Sequence, residues 1–551
     1  MITVFVASLI RTMDATQPEA TAVAVRDGII LGVGTLETLS PWLDSDEYII
    51  DHSFANKVLT PGLIDPHVHP MLPALLTQMP FIAPDEWDLP TGFFPSVATP
   101  QGYWNALAAA FDQHTGDDPF FTWGYQPMFH GPLTRTDLDH RISGDKPVVV
   151  WDRSFHGIYM NSAALAWFGI TDVHSLATTP GARDCADLAT GHFWEAGLES
   201  LMAGIQRQFL TPEKMMRGLG VFAAMVRKGG ITTIADMGLG LMIAPEQELG
   251  MQKAAFDDPS CGFRVLSVPI ETTFVADGSS TEQMFARIEA MQADTTGGNV
   301  QVTKHLKLMA DGAFYSQGFK LCTPGYIDGH EGEWIVPPAV TEQIAKAAWN
   351  KGYQLHMHCN GDEGAKFSVG LVADCLEEKP RFDHRFTMEH WGYSTEEQNR
   401  RAAALGVQIS GQPFYLRILG DKYADVGMGY DRAHAMARFN TVLRYGMNLA
   451  LHSDCPMAPL EPLELARTAV HRRTLDGNVV GPEERITVEQ ALRAITIDAA
   501  WNLGLEETIG SIRAGKSADF TVLDRDPLTD LDHATVLGTV YRGAIVHDAM
   551  S

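Results

Sequence analysis

Basic side chains are scarce in this sequence: 41 Lys and Arg stand against 68 Asp and Glu, for a formal net charge of −27. A surface of that sign repels phosphate backbones and anionic lipid, which argues against nucleic acid and membranes as partners. Cysteine is scarce too. The six residues, Cys185, Cys261, Cys322, Cys359, Cys375 and Cys455, lie far apart, and no C-x-x-C pair occurs. That argues against a thiolate zinc ribbon and a thioredoxin-type centre, and the thiols read as reduced in a cytoplasmic protein. No apolar run approaches the roughly 18 residues that a membrane helix needs. The opening MITVFVASLIRTM has neither a basic start nor an obvious cleavage site, so it reads as a first strand rather than a signal peptide. Internal repeats and low-complexity tracts are missing as well.

What is present is the composition of a folded enzyme: 551 residues, 45% hydrophobic, 20% charged and 9% aromatic. Such a chain buries a core without disulfide staples. The two ends read as strands and turns. TAVAVRDGIILGVG carries two apolar runs around Asp27-Gly28, a hairpin signal, and SADFTVLDRDPL and HATVLGTVYRGAIVHD are strand-like near the C-terminus. The two ends are expected to pair into one small β-sandwich, from residues 1–60 and 505–551.

Between them, residues 61–504 alternate strands with helical runs. Eight candidate strands stand out: 62–69, 231–238, 263–270, 306–312, 353–359, 386–390, 406–412 and 448–454. VTEQIAKAAWNKG and TEEQNRRAAALG are amphipathic runs of helical period. This pattern predicts an α/β protein built on a (β/α)8 TIM-like barrel. The stretch between the first two strands far exceeds an ordinary βα connection. It is expected to hold an inserted subdomain at about 75–215 that caps the active site.

The polar residues within that pattern carry the chemistry. His67 and His69 end an apolar strand two residues apart, so both side chains share one face. In a barrel strand that face is the interior, where two imidazoles can reach one metal. Lys307 lies in LKLMADG, and His358, His390 and Asp454 end three other strands. Charged or metal-binding residues at the C-terminal ends of barrel strands read as catalytic. Lys and Asp are rarely buried without a partner or a metal. His356 and His452 share the inward parity one layer deeper and read as hydrogen-bonded core residues behind the ligands. Asp311 is inward by the same parity, but Gly312 after it suggests a loop; it reads as a substrate contact or a structural turn.

At these residues the chain resembles the amidohydrolase superfamily, in the branch of N-substituted formamide deformylase and the YtcJ-like metal-dependent hydrolases. The matching segments, in order, include LTPGLIDPHVH, PVVVWDRSFHGIYMNSAAL, GGITTIADMG, LKLMADG, HMHCNGDEGA, FTMEHW, HSDCPMAPLEP and the run ending GSIRAGKSADFTVLD. The resemblance implies a zinc-dependent barrel with His67, His69, Lys307, His358, His390 and Asp454 as metal ligands, for one or two Zn2+ ions. It also implies that Lys307 is N-carboxylated and bridges the two ions; the alternative is a lysine paired with Asp311 beside one metal. Asp454 is the implied catalytic residue, taking a proton from a metal-bound hydroxide nucleophile and passing it to the leaving nitrogen.

Further substrate-contact candidates are His156, Trp123, Glu195 and Asp311, with His130 as a donor to the oxyanion. For each of the insertion residues a surface or core role is the competing reading. Ser154 and the Cys359-Asn360 pair depart from the family pattern without touching the ligand set. The implied function is hydrolysis of a non-peptide C–N bond in a small-molecule amide, formamide or cyclic amide. A decarboxylase, hydratase or isomerase on the same scaffold is the alternative, because fold does not set reaction. A homodimer is the expected assembly.

Overall fold

The computed structural model describes residues 1–44, 46–176 and 181–548. Strands from both chain ends share one seven-stranded sheet. Its order is Ala544–Asp548, Val536–Tyr541, Phe520–Leu523, Tyr48–Pro61, Ile2–Arg11, Glu19–Arg26, Ile29–Gly34. Two of its hairpins are two-residue turns. Arg26 pairs with Ile29 across Asp27 and Gly28, whose φ angles are 52° and 78°. Tyr541 pairs with Ala544 across Arg542 and Gly543, at 49° and 78°. Positive φ at both central positions matches the right-handed twist of the flanking strands, and glycine takes the second position without strain. Alternate residues serve alternate faces of the sheet. Val23, Val25, Phe54, Phe520 and Val540 share one apolar cluster, while Ile2, Val4, Ala22 and Ala24 pack with Leu39 and Leu43 of the helix Leu36–Leu43.

The barrel strands are Leu63–Val68, Ile231–Leu239, Arg264–Pro269, His305–Met309, Gln354–Cys359, Thr387–His390, Gln408–Gly411 and Leu449–Leu451. Every ladder between them is parallel. The fourth strand is preceded by Val300–Val302, which pairs with the third. Two parallel bridges, Ile270 with Lys307 and Val68 with Cys455, close the ring. The helical runs read from the sequence form Pro338–Asn350 and Glu396–Ala404, the latter opened by a Thr395–Gln398 capping box.

The chain folds as two compact units. The first holds Met1–Pro70, Ala223–Gly312 and the chain from Phe319 onward; the second holds Met71–Phe222 and Ala313–Gly318. The second unit has its own five-stranded sheet, ordered Ala186–Asp187, His192–Trp194, Gly157–Met160, Val148–Asp152, Phe120–Tyr125. Its apolar cluster includes Tyr103, Trp104, Leu107, Phe120, Tyr125 and Val148. Among the described residues no helix is long and apolar enough to cross a membrane.

Candidate metal centre

All six residues expected as ligands lie in the first unit, on five barrel strands or immediately beyond them. The joint between the first and last strands sets three of them. Asp454 donates its backbone N–H to the His67 carbonyl at 3.0 Å, and His69 donates to the Cys455 carbonyl at 3.1 Å. Beneath them the buried Asp65 carboxylate accepts the N–H groups of Ser453 (3.1 Å) and His67 (3.4 Å). Burial, partly offset by these bonds to Ser453 and His67, pushes the Asp65 carboxyl up to about 7. The result places Asp454 between the two histidines. Its Oδ1 lies 3.2 Å from His69 Nε2 and 3.4 Å from His67 Nε2, and its Oδ2 lies 3.6 Å from His390 Nδ1.

Backbone strain marks the same residues. Asp454 has φ 55°, and His390 and Trp391 have 71° and 50°. Left-handed conformations at non-glycine residues cost about 1–3 kcal/mol each and cluster at functional sites. Glycine serves the site in another way. A Cβ at Gly238, in the second strand, would lie 2.6 Å from His69 Nδ1, so a side chain there would displace the ring.

The donor set fits a transition metal. Bonds of about 2.0–2.1 Å to a tetrahedral ion put neighbouring donors about 3.3 Å apart. The distances from Asp454 Oδ1 to the two imidazoles match that spacing. Two groups of side chains bring their ligand atoms within 4.8 Å of one another: His67, His69 and Asp454, and His67, His390 and His452. Desolvation, reinforced by the Lys307 charge, holds His67 well below its ordinary value; His390 is held down by burial and by His358. Both rings are therefore neutral and keep a lone pair for a metal. Lys307 is buried, with Nζ 3.4 Å from His67 Nε2. Burial pulls its ammonium down to about 8 against the attraction of Glu389 and Asp454.

His358 lies nearby, its ring centroid 4.6 Å from that of His390, but its Nε2 is 3.0 Å from the Asn360 side-chain nitrogen. It is absent from both ligand-spaced groups among the described residues. His452 is present in one of them, although its parity suggested a core role. Its Nδ1 lies 2.7 Å from Ser410 Oγ and its Nε2 3.1 Å from His390 Nδ1. Sequence reasoning missed Glu389 altogether. This fully buried carboxylate lies 2.7 Å from His67 Nδ1 and 2.7 Å from His356 Nδ1. Although burial opposes ionisation, the His356 hydrogen bond and the Lys307 charge hold Glu389 at about 2. Its only signal in the sequence was a charged residue beside a strand-end histidine.

The four substrate-contact candidates are placed differently. Asp311 accepts three backbone N–H groups, from Gly361 (2.7 Å), Asn360 (2.9 Å) and Lys320 (3.0 Å), and so ties the loops after the fourth and fifth strands together. Trp123 is fully buried in the second unit, edge-on to Phe81 and Trp87. His156 and Glu195, also in that unit, form a half-buried pair with Nδ1 and Oε1 2.7 Å apart. Glu195 is at φ 40°, another left-handed non-glycine residue. His130 has both ring nitrogens engaged, with the Gln126 N–H at 3.0 Å and the Val97 carbonyl at 2.6 Å. It is a structural residue of the insertion.

Known proteins resemble this chain along nearly its whole length. The model of the amidohydrolase family matches residues 54–547. The N-substituted formamide deformylase of Arthrobacter pascens is 26% identical, over 98% of this chain and 97% of its own length. The putative amidohydrolase YtcJ of Bacillus subtilis is 23% identical, over 99% and 98%. Among solved structures, an uncharacterized metal-dependent hydrolase from Pyrococcus horikoshii superposes with a TM-score of 0.71 at 18% identity, covering 99% of this chain and all of that one.

Proposed function

Since the chain belongs to the amidohydrolase family, we propose that it is a zinc-dependent hydrolase of a non-peptide carbon–nitrogen bond in a small amide, formamide or cyclic amide. The observation that carries this reading is the Asp454 carboxylate, set at ligand spacing from His67 and His69 and facing His390. Neutral imidazoles with one carboxylate are a donor set that zinc accepts. His67, His69, His390 and Asp454 would hold the ion, and His358 and Lys307 would complete the set for a second. When bound, zinc supplies Lewis acidity toward a carbonyl oxygen and acidifies water.

The chain's own residues supply the rest. The Asp454 carboxylate takes a proton from the attacking water and returns it to the leaving nitrogen, so that an amine departs rather than an amide anion. His67 and His390 stay neutral because both rings are desolvated. Lys307, with its ammonium held near pH 8, has a neutral amine fraction that reacts with CO2. The C–N bond forms, one N–H proton passes to water, and the resulting carbamate carries a single negative charge shared by two oxygens, which would suit a site for two ions. The relative that acts on N-substituted formamides supports a formamide or related amide as substrate.

The test is a screen of zinc-loaded protein against formamides, amides, lactams and esters. Turnover of a C–N substrate that disappears with chelation and returns with zinc is expected. Stoichiometric zinc without turnover of any C–N substrate, together with decarboxylase or isomerase activity, would overturn the hydrolase reading and leave the metal site standing.

A further inference from the structure

We propose that Glu389 is a positioning residue that locks the His67 ring with Nε2 turned to the metal, in a chain that runs from Glu389 through the buried His356 to the half-buried His305. The inference rests on the reading of His67 as a ligand. His67, His356 and Glu389 are fully buried, and all four residues lie in the barrel. Glu389 Oε2 is 2.7 Å from His67 Nδ1, and Oε1 is 2.7 Å from His356 Nδ1. At the far end His356 Nε2 is 3.0 Å from His305 Nδ1, with the two rings stacked at 5.1 Å.

An ionised carboxylate only accepts hydrogen bonds, so both imidazoles must carry their proton on Nδ1. For His67 that leaves the lone pair on Nε2, the atom 3.4 Å from Asp454 Oδ1. One buried carboxylate therefore engages Nδ1 of both rings, and its two 2.7 Å contacts hold the His67 ring in place. The register of the fifth and sixth strands builds the link, because His358 lies level with Glu389 and His356 with Thr387. A carboxylate behind a metal-binding imidazole holds the ring and raises its basicity, and losing such a partner typically costs about 10–100-fold in metal affinity.

Glu389→Gln keeps the shape but presents one acceptor and one donor group, so it cannot accept from both rings. We expect its zinc affinity, measured by chelator competition, to fall about 10–100-fold. The visible spectrum of the cobalt-substituted protein should change, with the melting temperature of the metal-free form near wild type. The wild-type holoenzyme with 15N-labelled histidine gives a second reading that needs no variant: His67 and His356 should show protons on Nδ1. Stoichiometric zinc in the wild type with unchanged affinity and cobalt spectrum in Glu389→Gln, or a His67 proton on Nε2, overturns this inference alone. A wild type that takes up no zinc overturns the metal reading and this inference with it.

Discussion

Asp454→Asn separates proton transfer from metal binding. The carboxylate sits 3.2 Å from His69 Nε2, 3.4 Å from His67 Nε2 and 3.6 Å from His390 Nδ1. Asparagine has the same shape and keeps one oxygen toward the imidazoles, but its amide cannot carry a proton between water and the leaving nitrogen. Positioned acid–base groups contribute about 10²–10⁴-fold in rate, or about 2.7–5.5 kcal/mol of barrier. The loss should fall on kcat, with KM near wild type, because the proton moves only on the way to the transition state. Loss of the negative charge also weakens the ion's hold. The comparison is therefore made in excess zinc, with metal content measured on the same sample. The assay is steady-state hydrolysis of the substrate found in the screen. A variant with full zinc and kcat within about tenfold of wild type would refute the assignment, since that is below the range for a working acid–base group.

Lys307 should carry one added CO2 in intact mass measured without acid. At a fixed concentration of dissolved CO2, reloading of stripped protein should speed up as pH rises through about 8, where burial releases the ammonium proton; a bare lysine with one fully occupied metal would sink the bridge. The same depressed value has a stability sign: between about pH 8 and the ordinary 10.5, the unfolded chain holds a proton that the folded chain does not. The metal-free protein should therefore gain stability with rising pH there through this group, which a melting series at fixed ionic strength can check. Asp311→Ala should destabilise the metal-free fold, because it strands three backbone N–H donors, each worth about 1–3 kcal/mol when buried. A changed KM with an unchanged melting temperature would show instead that Asp311 serves the substrate. Deleting residues 512–551 should abolish soluble expression, since Tyr48–Pro61 loses its Phe520–Leu523 partner and becomes an open edge; a soluble, active truncation would refute that.

Much of this protein was legible in the sequence, where the signal was local. Period-two patterning placed His67 and His69 on one strand face. The dipeptides Asp27-Gly28 and Arg542-Gly543 lie where the structure has tight turns with positive φ. Apolar runs separated by amphipathic helices marked out eight strands, and those strands close as a parallel barrel. What the sequence could not contain was distance between residues far apart in the chain. Glu389 meets His67 across 322 positions, and only the order and register of the strands brings them together. Parity assigned His452 to the core, but parity records only which face a side chain takes. The height at which it stops depends on neighbouring strands, and packing sets its Nε2 at 3.1 Å from His390. Asp311 shares inward parity with Lys307, yet its carboxylate meets the N–H groups of two loops. The left-handed turns at His390 and Asp454 likewise re-aim their side chains in a way that no propensity foretells. Local chemistry thus determined which residues could bind a metal, and tertiary packing decided which of them converge, because convergence depends on strand register and on the desolvation that only a closed barrel supplies.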